Sequence, residues 1–276
     1  MTQTSGLNRN TIDKYYTTDD AVKICMDLLK DNIKINENDL CIEPSAGNGS
    51  FIDNIKLLFK NYKFYDLEPE NDEIFKQDYL KFDYNNIIST KYNKIHIIGN
   101  PPFGRQSSLA IKFIKISSEF SDSISFILPK SFKKDSMKKY FPLNFHLICE
   151  KDLPQNSFMI NNELCDVPCV FQIWIKKKIN RKQPQMLYPN KYRFIKKEDN
   201  PDISFRRVGV YAGKIYKEIN DKSAQSHYFI KFDNGILTDE LFYKLSIIKY
   251  LSKNNTVGPR SISKQELIKE FNDIIN

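Results

Sequence analysis

Short apolar runs stopped by turn residues alternate along this chain with stretches in which apolar residues recur every three or four positions. The first pattern reads as buried strands, the second as amphipathic helices. Ala21, Val22, Ile24, Cys25, Leu28 and Leu29 share one face of a predicted helix. Thr17 or Thr18 is placed to cap it, and Asp19 and Asp20 suit its positive end. Residues 40–42 read as a strand, followed by a glycine turn and a helical pattern through Ile52, Ile55, Leu57 and Leu58. Further strands are expected at 62–65, 95–98, 123–129, 149–152 and 167–175, with a short segment at 75–79 and a helix over 109–120. Strands alternating with helices predict an α/β chain built on a doubly wound sheet.

The strand at 95–98 ends abruptly in Asn100-Pro101-Pro102-Phe103-Gly104. Prolines cannot donate to a sheet ladder, and each fixes its own φ. The result is a stiff loop at a strand's C-terminal end. It offers one amide side chain, backbone carbonyls without neighbouring N–H groups, and an aromatic ring. That set suits a planar ring bearing an amino group: the Asn100 amide oxygen and a proline carbonyl accept the two amino hydrogens, and Phe103 stacks on the ring. A plain strand-ending turn is the alternative.

The glycine turn reads Glu43-Pro44-Ser45-Ala46-Gly47-Asn48-Gly49. Gly47 and Gly49 allow close backbone approach to a ligand. The third glycine of a dinucleotide fingerprint is absent, with Ile52 in its place. Glu43 is a poor neighbour for pyrophosphate and suits a ligand carrying positive charge, such as S-adenosylmethionine. Asp66, with Glu68 as competitor, ends the second strand about 20 residues after the turn, where an acid binds ribose hydroxyls. Asp78, next to Tyr79, is placed to accept from an adenine amino group or to be a solvated turn acid. Tyr15 and Tyr16 stand just outside the first helix, as pocket walls or as a hydrophobic staple.

Composition narrows the class. The chain has 276 residues, 41% hydrophobic and 28% charged, with a net charge of +8 and a pI near 9.0. That balance is globular, and no apolar run approaches the length of a membrane span. Met1 to Asp13 lacks a signal-peptide pattern, so an intracellular, cytoplasmic protein is expected. Five cysteines and three histidines show no zinc spacing, and no metal is expected. The basic excess fits a polyanion. Lys130–Lys139 holds five lysines and reads either as a phosphate contact, through Lys130, or as a solvated face. Phe158 is a second stacking candidate or a core plug. Residues 176–222 carry 14 basic residues against 5 acidic, interleaved with aromatics, which fits a nucleic-acid surface including Arg206 and Arg207. Ser263-Lys264-Gln265-Glu266 is a capping box before a last helix.

In this order the motifs resemble the gamma class of S-adenosylmethionine-dependent adenine-specific DNA methyltransferases, and among them solo enzymes of phages and large DNA viruses. The resemblance rests on Tyr15–Thr17, the Glu43–Gly49 loop, Asp66, Asp78 and the Asn100–Phe103 tetrapeptide, and it covers residues 11–175. It implies a Rossmann-like seven-stranded sheet whose last strand is antiparallel, with a small C-terminal extension. The expected organisation is a flexible 1–14, a catalytic domain at 15–178 and a basic, aromatic target-recognition region at 179–276. The implied cofactor contacts are Tyr16, Thr17, Glu43, Pro44, Ser45, Ala46, Gly47, Gly49, Asp66, Asp78, Tyr79 and Asn100. Asn100, Pro101, Pro102 and Phe103 form the implied catalytic loop, acting on an adenine swung out of DNA. An RNA adenine methyltransferase, a protein glutamine methyltransferase and a catalytically silent nucleic-acid-binding module are the rivals.

Overall fold

The computed structural model describes residues 14–275; the expected flexible N-terminus lies, but for Lys14, outside the described residues. The chain forms two compact units that divide between Gln183 and Pro184.

The first unit holds β1 (Tyr16–Thr17), α1 (Asp19–Asn32), β2 (Leu40–Glu43), α2 (Ile52–Leu58), β3 (Asn61–Asp66), β4 (Phe75–Lys76), α3 (Asn85–Ser89) and β5 (Ile95–Gly99). It continues through α4 (Ser108–Phe120), β6 (Ser123–Pro129), α5 (Asp135–Lys138), β7 (Phe145–Asp152), β8 (Phe158–Ile160), β9 (Glu163–Cys165) and β10 (Cys169–Lys176). Seven strands form one sheet in the order β4-β3-β2-β5-β6-β10-β7. Strands β4 to β6 pair in parallel, and β10 runs antiparallel to both β6 and β7. Every residue of β2, β5 and β6 is buried, so these strands are covered on both faces and read as continuous apolar runs rather than alternating ones. Trp174 of β10 stacks on Phe141 with ring centroids 4.0 Å apart.

A small second sheet, β1-β8-β9, was not expected from the sequence. Its strands are two or three residues long, too short for a periodicity to register. Thr17 pairs with Phe158 in it. Phe158 is thereby 1% exposed, with its ring edge against Tyr15. The stacking role expected of Phe158 is replaced by the core plug. Thr18 stands at the N-cap of α1, but its hydroxyl donates to the Ser157 carbonyl at 3.3 Å and caps nothing. Leu57, placed on the apolar face of α2, is exposed. Lys130 and Lys133 both pair with Asp152, at 3.0 and 2.7 Å, and Lys138 pairs with Glu150. Lys130, expected as a phosphate contact, is here paired with a carboxylate of β7.

The second unit holds β11 (Tyr192–Ile195), β12 (Ile203–Arg206), β13 (Ile215–Tyr216), β14 (His227–Phe232), α6 (Asp239–Ser246) and α7 (Lys264–Ile275). Its four strands form an antiparallel sheet in the order β11-β14-β12-β13. Its core gathers Phe205, Ile230, Leu267 and Phe271. The capping box forms as read: the Ser263 N–H donates to Glu266 Oε2 at 2.7 Å, and the Glu266 N–H donates to Ser263 Oγ. Arg206 does not present a free guanidinium. It donates to the Val208 carbonyl and to Ser226 Oγ. Arg207 donates to the Gln225 carbonyl and lies over the Tyr228 ring.

Candidate active site

A cavity of about 560 Å³ opens over the C-terminal ends of β2, β3 and β5. Ligands of open α/β sheets sit at such strand ends. Pro44, Ser45 and Gly47 supply one side, Asp66 and Asp78 a second, and Asn100 and Pro102 a third. Tyr16 and Tyr79 complete the aromatic wall.

The glycine turn is held by its neighbours. Asp66 Oδ2 accepts the Gly47 N–H at 2.8 Å, and Oδ1 accepts the Glu68 N–H at the same distance. The Ala46 N–H donates to the Tyr65 carbonyl. Gly47 has φ +57°, a left-handed conformation that any other residue would adopt only under strain. Gly49 is held by space as well: a Cβ there would meet Ile52 Cδ1 at 2.8 Å. Ala46 and Gly49 support the turn without lining the cavity.

Glu43 also lies outside the cavity lining. It is 2% exposed, and no described group donates to its Oε2. Burial, with the negative charge of Asp66 nearby, pushes its pKa up to about 8. Both causes favour the protonated carboxyl.

Asp78 caps the short 3₁₀ turn after it, accepting the Leu80 N–H at 3.0 Å, and still lines the cavity. The buried Tyr79 hydroxyl is paired with Ser117 Oγ at 3.0 Å, so the ring and not the hydroxyl is what it offers. Tyr16 donates to Glu70 Oε1 at 2.6 Å, and Lys14 bridges Glu70 and Glu68 at the rim. Burial, reinforced by that carboxylate, moves the Tyr16 phenol up to about 12.

Asn100 is oriented by the chain's opening segment. Its Nδ2 donates to the Tyr15 carbonyl at 3.1 Å and to Thr17 Oγ1 at 3.3 Å. A carbonyl can only accept, so the nitrogen must face it, and Oδ1 faces away. The Asn100 carbonyl in turn accepts from Ser45 Oγ, which ties the catalytic-loop candidate to the glycine turn. Pro101 is buried beneath the loop.

Phe103 does not line the cavity. Its ring packs against the apolar cluster of β5 and α4, and its carbonyl accepts the first N–H groups of α4, from Leu109 and Ala110. The ring expected to be a stacking face is half-buried and packs where α4 begins, outside the cavity lining. Gly104, Gln106 and Ser107 all have positive φ, between +53° and +67°. Left-handed non-glycine residues cost of order 1–3 kcal/mol each and gather at functional sites. This kinked turn carries Arg105, which is exposed and lines the cavity. Arg105 and Lys14 were not singled out from the sequence. Position directly after the tetrapeptide was the available signal for Arg105; for Lys14, whose partners are 54 and 56 residues away, there was none.

No protein-family model matches the chain, and no curated protein matches it. Solved structures do. A candidate RNA methyltransferase of Pyrococcus horikoshii is 16% identical, with a TM-score of 0.47 over 63% of this chain and 93% of that one. A candidate class I S-adenosylmethionine-dependent methyltransferase of Listeria monocytogenes is 14% identical, with a TM-score of 0.46 over 64% of this chain and 66% of that one. A candidate methyltransferase of Streptococcus mutans, solved in complex with S-adenosylhomocysteine, is 16% identical at a TM-score of 0.37 over 57% and 97% of the two chains. The strand order of this chain, with β10 reversed between β6 and β7, is the Rossmann-like seven-stranded arrangement of the class I methyltransferase fold. Among the described residues, no helix is long and apolar enough to cross a membrane, and no cluster of residues is suited to a metal ion.

Proposed function

We propose that this chain transfers a methyl group from S-adenosylmethionine to the exocyclic 6-amino group of adenine in DNA. The observation that carries the reading is the Asn100 amide: both donor contacts of Nδ2 are made within the protein, and Asn100 lines the cavity with its Oδ1 on the side away from those partners.

The donor set fits the cofactor. Gly47 gives close backbone approach, and Asp66 and Asp78 supply acceptors for ribose hydroxyls and an adenine amino group. Glu43 supplies negative charge beneath the turn once its proton leaves, Tyr16, Pro44 and Ser45 shape the remaining walls, and Thr17, expected as a cofactor contact, holds the Asn100 amide instead. S-Adenosylmethionine supplies a sulfonium-bound methyl group that a nitrogen lone pair can take directly.

The protein's part is positioning and electrostatics. Oδ1 of Asn100 and a proline carbonyl of the loop accept the two N–H groups of the adenine amine. The nitrogen becomes more tetrahedral and its lone pair more available. No strong base is required, since the extra proton can leave after transfer. The target base must leave the duplex to reach such a cavity. Pro101 and Pro102 keep the loop from relaxing during the step.

The test is tritiated methyl transfer to duplex DNA, RNA and protein in parallel arms. Wild-type protein is expected to label DNA at N6 of adenine, and Asn100→Ala to abolish labelling while cofactor affinity stays within about twofold. Labelling of RNA or protein alone, or full activity of Asn100→Ala, overturns the reading.

A further inference from the structure

We infer that the second unit carries its own binding cleft for a phosphodiester backbone, centred on the Lys264 ammonium above Phe194 and Tyr228. The polymer's identity as nucleic acid rests on the proposed reaction; the cleft rests on the unit's own geometry.

Phe194 of β11 and Tyr228 of β14 meet edge to face, with centroids 5.7 Å apart. Lys264, the first residue of α7, holds its Nζ 4.7 Å from the Phe194 centroid and 5.6 Å from that of Tyr228. The Arg207 guanidinium lies 5.6 Å from the same Tyr228 ring. Phe194, Tyr228 and Lys264 border a cleft of about 240 Å³ whose wall also includes Lys196, Lys197 and one carboxylate, Glu198.

Four of the twelve lysines in this unit are held by carboxylates, Lys222 by its neighbour Asp221. Lys217 pairs with Asp239, Lys231 with Asp202 and Lys244 with Glu240. Lys264 is held by two aromatic rings, with no described carboxylate within ion-pair distance. A ring attracts an ammonium without consuming its three N–H donors. The cation is therefore positioned, yet its hydrogen-bonding capacity is intact for an anion.

The occupant is a phosphate and not a stacked base. Lys264 already covers the ring faces that a base would need. The sequence pointed to Arg206 for this role, but that side chain is consumed by Val208 and Ser226. Residues 184–276 carry 16 Lys and Arg against 11 Asp and Glu, so five of the chain's eight excess positive charges lie in this unit.

The test is fluorescence anisotropy of the full chain, without cofactor, on a labelled 20-nucleotide DNA in single- and double-stranded form across a salt series. Lys264→Glu is the principal variant, because an acid in the first turn of α7 suits the helix dipole and leaves folding undisturbed. It is expected to weaken binding about tenfold at low salt and to reduce the slope of log affinity against log salt by about one. Lys196→Glu should act in the same direction. Lys244→Glu, a reversal of similar charge on α6, should change affinity less than about twofold. Unchanged affinity and slope in Lys264→Glu overturns the cleft. So does Lys264-dependent binding to vesicles of anionic phospholipid with none to the oligonucleotide. Methyl transfer by the same preparations separates the two readings: DNA binding that depends on Lys264 without methylation of any substrate sinks the reaction and leaves the cleft standing.

Discussion

The Asn100 side chain donates to Thr17 Oγ1 across 83 residues of sequence, at 3.3 Å. The link joins the loop that ends β5 to the two-residue strand that precedes α1. It makes the orientation of one amide depend on a hydroxyl that is 4% exposed and far away in the chain.

Thr17→Val keeps the shape of that residue and removes the acceptor. One donor contact of the Asn100 amide is lost, worth about 1 kcal/mol net. The turnover number should fall roughly fivefold to tenfold with cofactor affinity unchanged, read by steady-state kinetics and calorimetric titration. An unchanged turnover number would remove Thr17 from the positioning of Asn100.

Asp66 has two duties, as an acceptor for the turn and as a wall of the cavity. Asp66→Ala should weaken S-adenosylmethionine binding by at least about tenfold, since a hydrogen bond to a charged group contributes about 1.5–3 kcal/mol. Calorimetric titration reads this directly; wild-type affinity in the variant contradicts a cofactor role for Asp66.

Glu43 makes stability depend on pH with a defined sign. Its folded pKa, about 8, lies above its ordinary value of 4.5. Folded protein keeps a proton that unfolded protein releases, so its contribution is complete below about pH 4.5 and is lost as pH rises towards 8. Glu43→Gln, which cannot ionise, should melt closer to wild type at pH 5 than at pH 8.5, where it should be the more stable. Parallel thermal melts across that range check the sign, and an identical pH profile in both proteins would show that Glu43 does not titrate.

Arg105 stands on a strained turn beside Pro102, exposed and at the cavity. Arg105→Ala should raise the KM for DNA several-fold while leaving cofactor affinity in place, and the KM increase should shrink at high salt as screening weakens the wild-type contact. A variant whose cofactor affinity falls while its KM for DNA is unchanged would assign Arg105 to the other ligand.

Elements with strong periodicity or burial were legible. The strand at 123–129 is found where the apolar run lies, α4 begins one residue before its expected start, and the capping box of α7 forms from the residues that announce it. The illegible parts depend on long-range partners. Nothing near Lys130 in sequence reveals that Asp152 waits across the sheet. Phe103 reads as a free aromatic because its neighbours are Pro and Gly, whereas its ring is half-buried against the core where α4 starts. Phe158 lies in a polar stretch, and only its pairing with Thr17 buries it. At the cavity, Asn100, Asp66 and Asp78 were picked out from the sequence and Arg105 and Lys14 were not, and nothing in the sequence showed that Asn100 takes its orientation from Tyr15 and Thr17.

Strand β10 has a consequence for synthesis. It is the last strand of its sheet to be made, yet it occupies an interior position, and β7 has no sheet partner but β10. A nascent chain that has emerged only as far as Asp152 has β6 as an unfinished border of seven apolar and small residues, with β7 adrift. Such borders invite pairing with other chains. Pauses that hold the emerged end of the chain between Asp152 and Cys169 should therefore leave this protein most exposed to aggregation, and that exposure should end once Lys176 has cleared the exit tunnel.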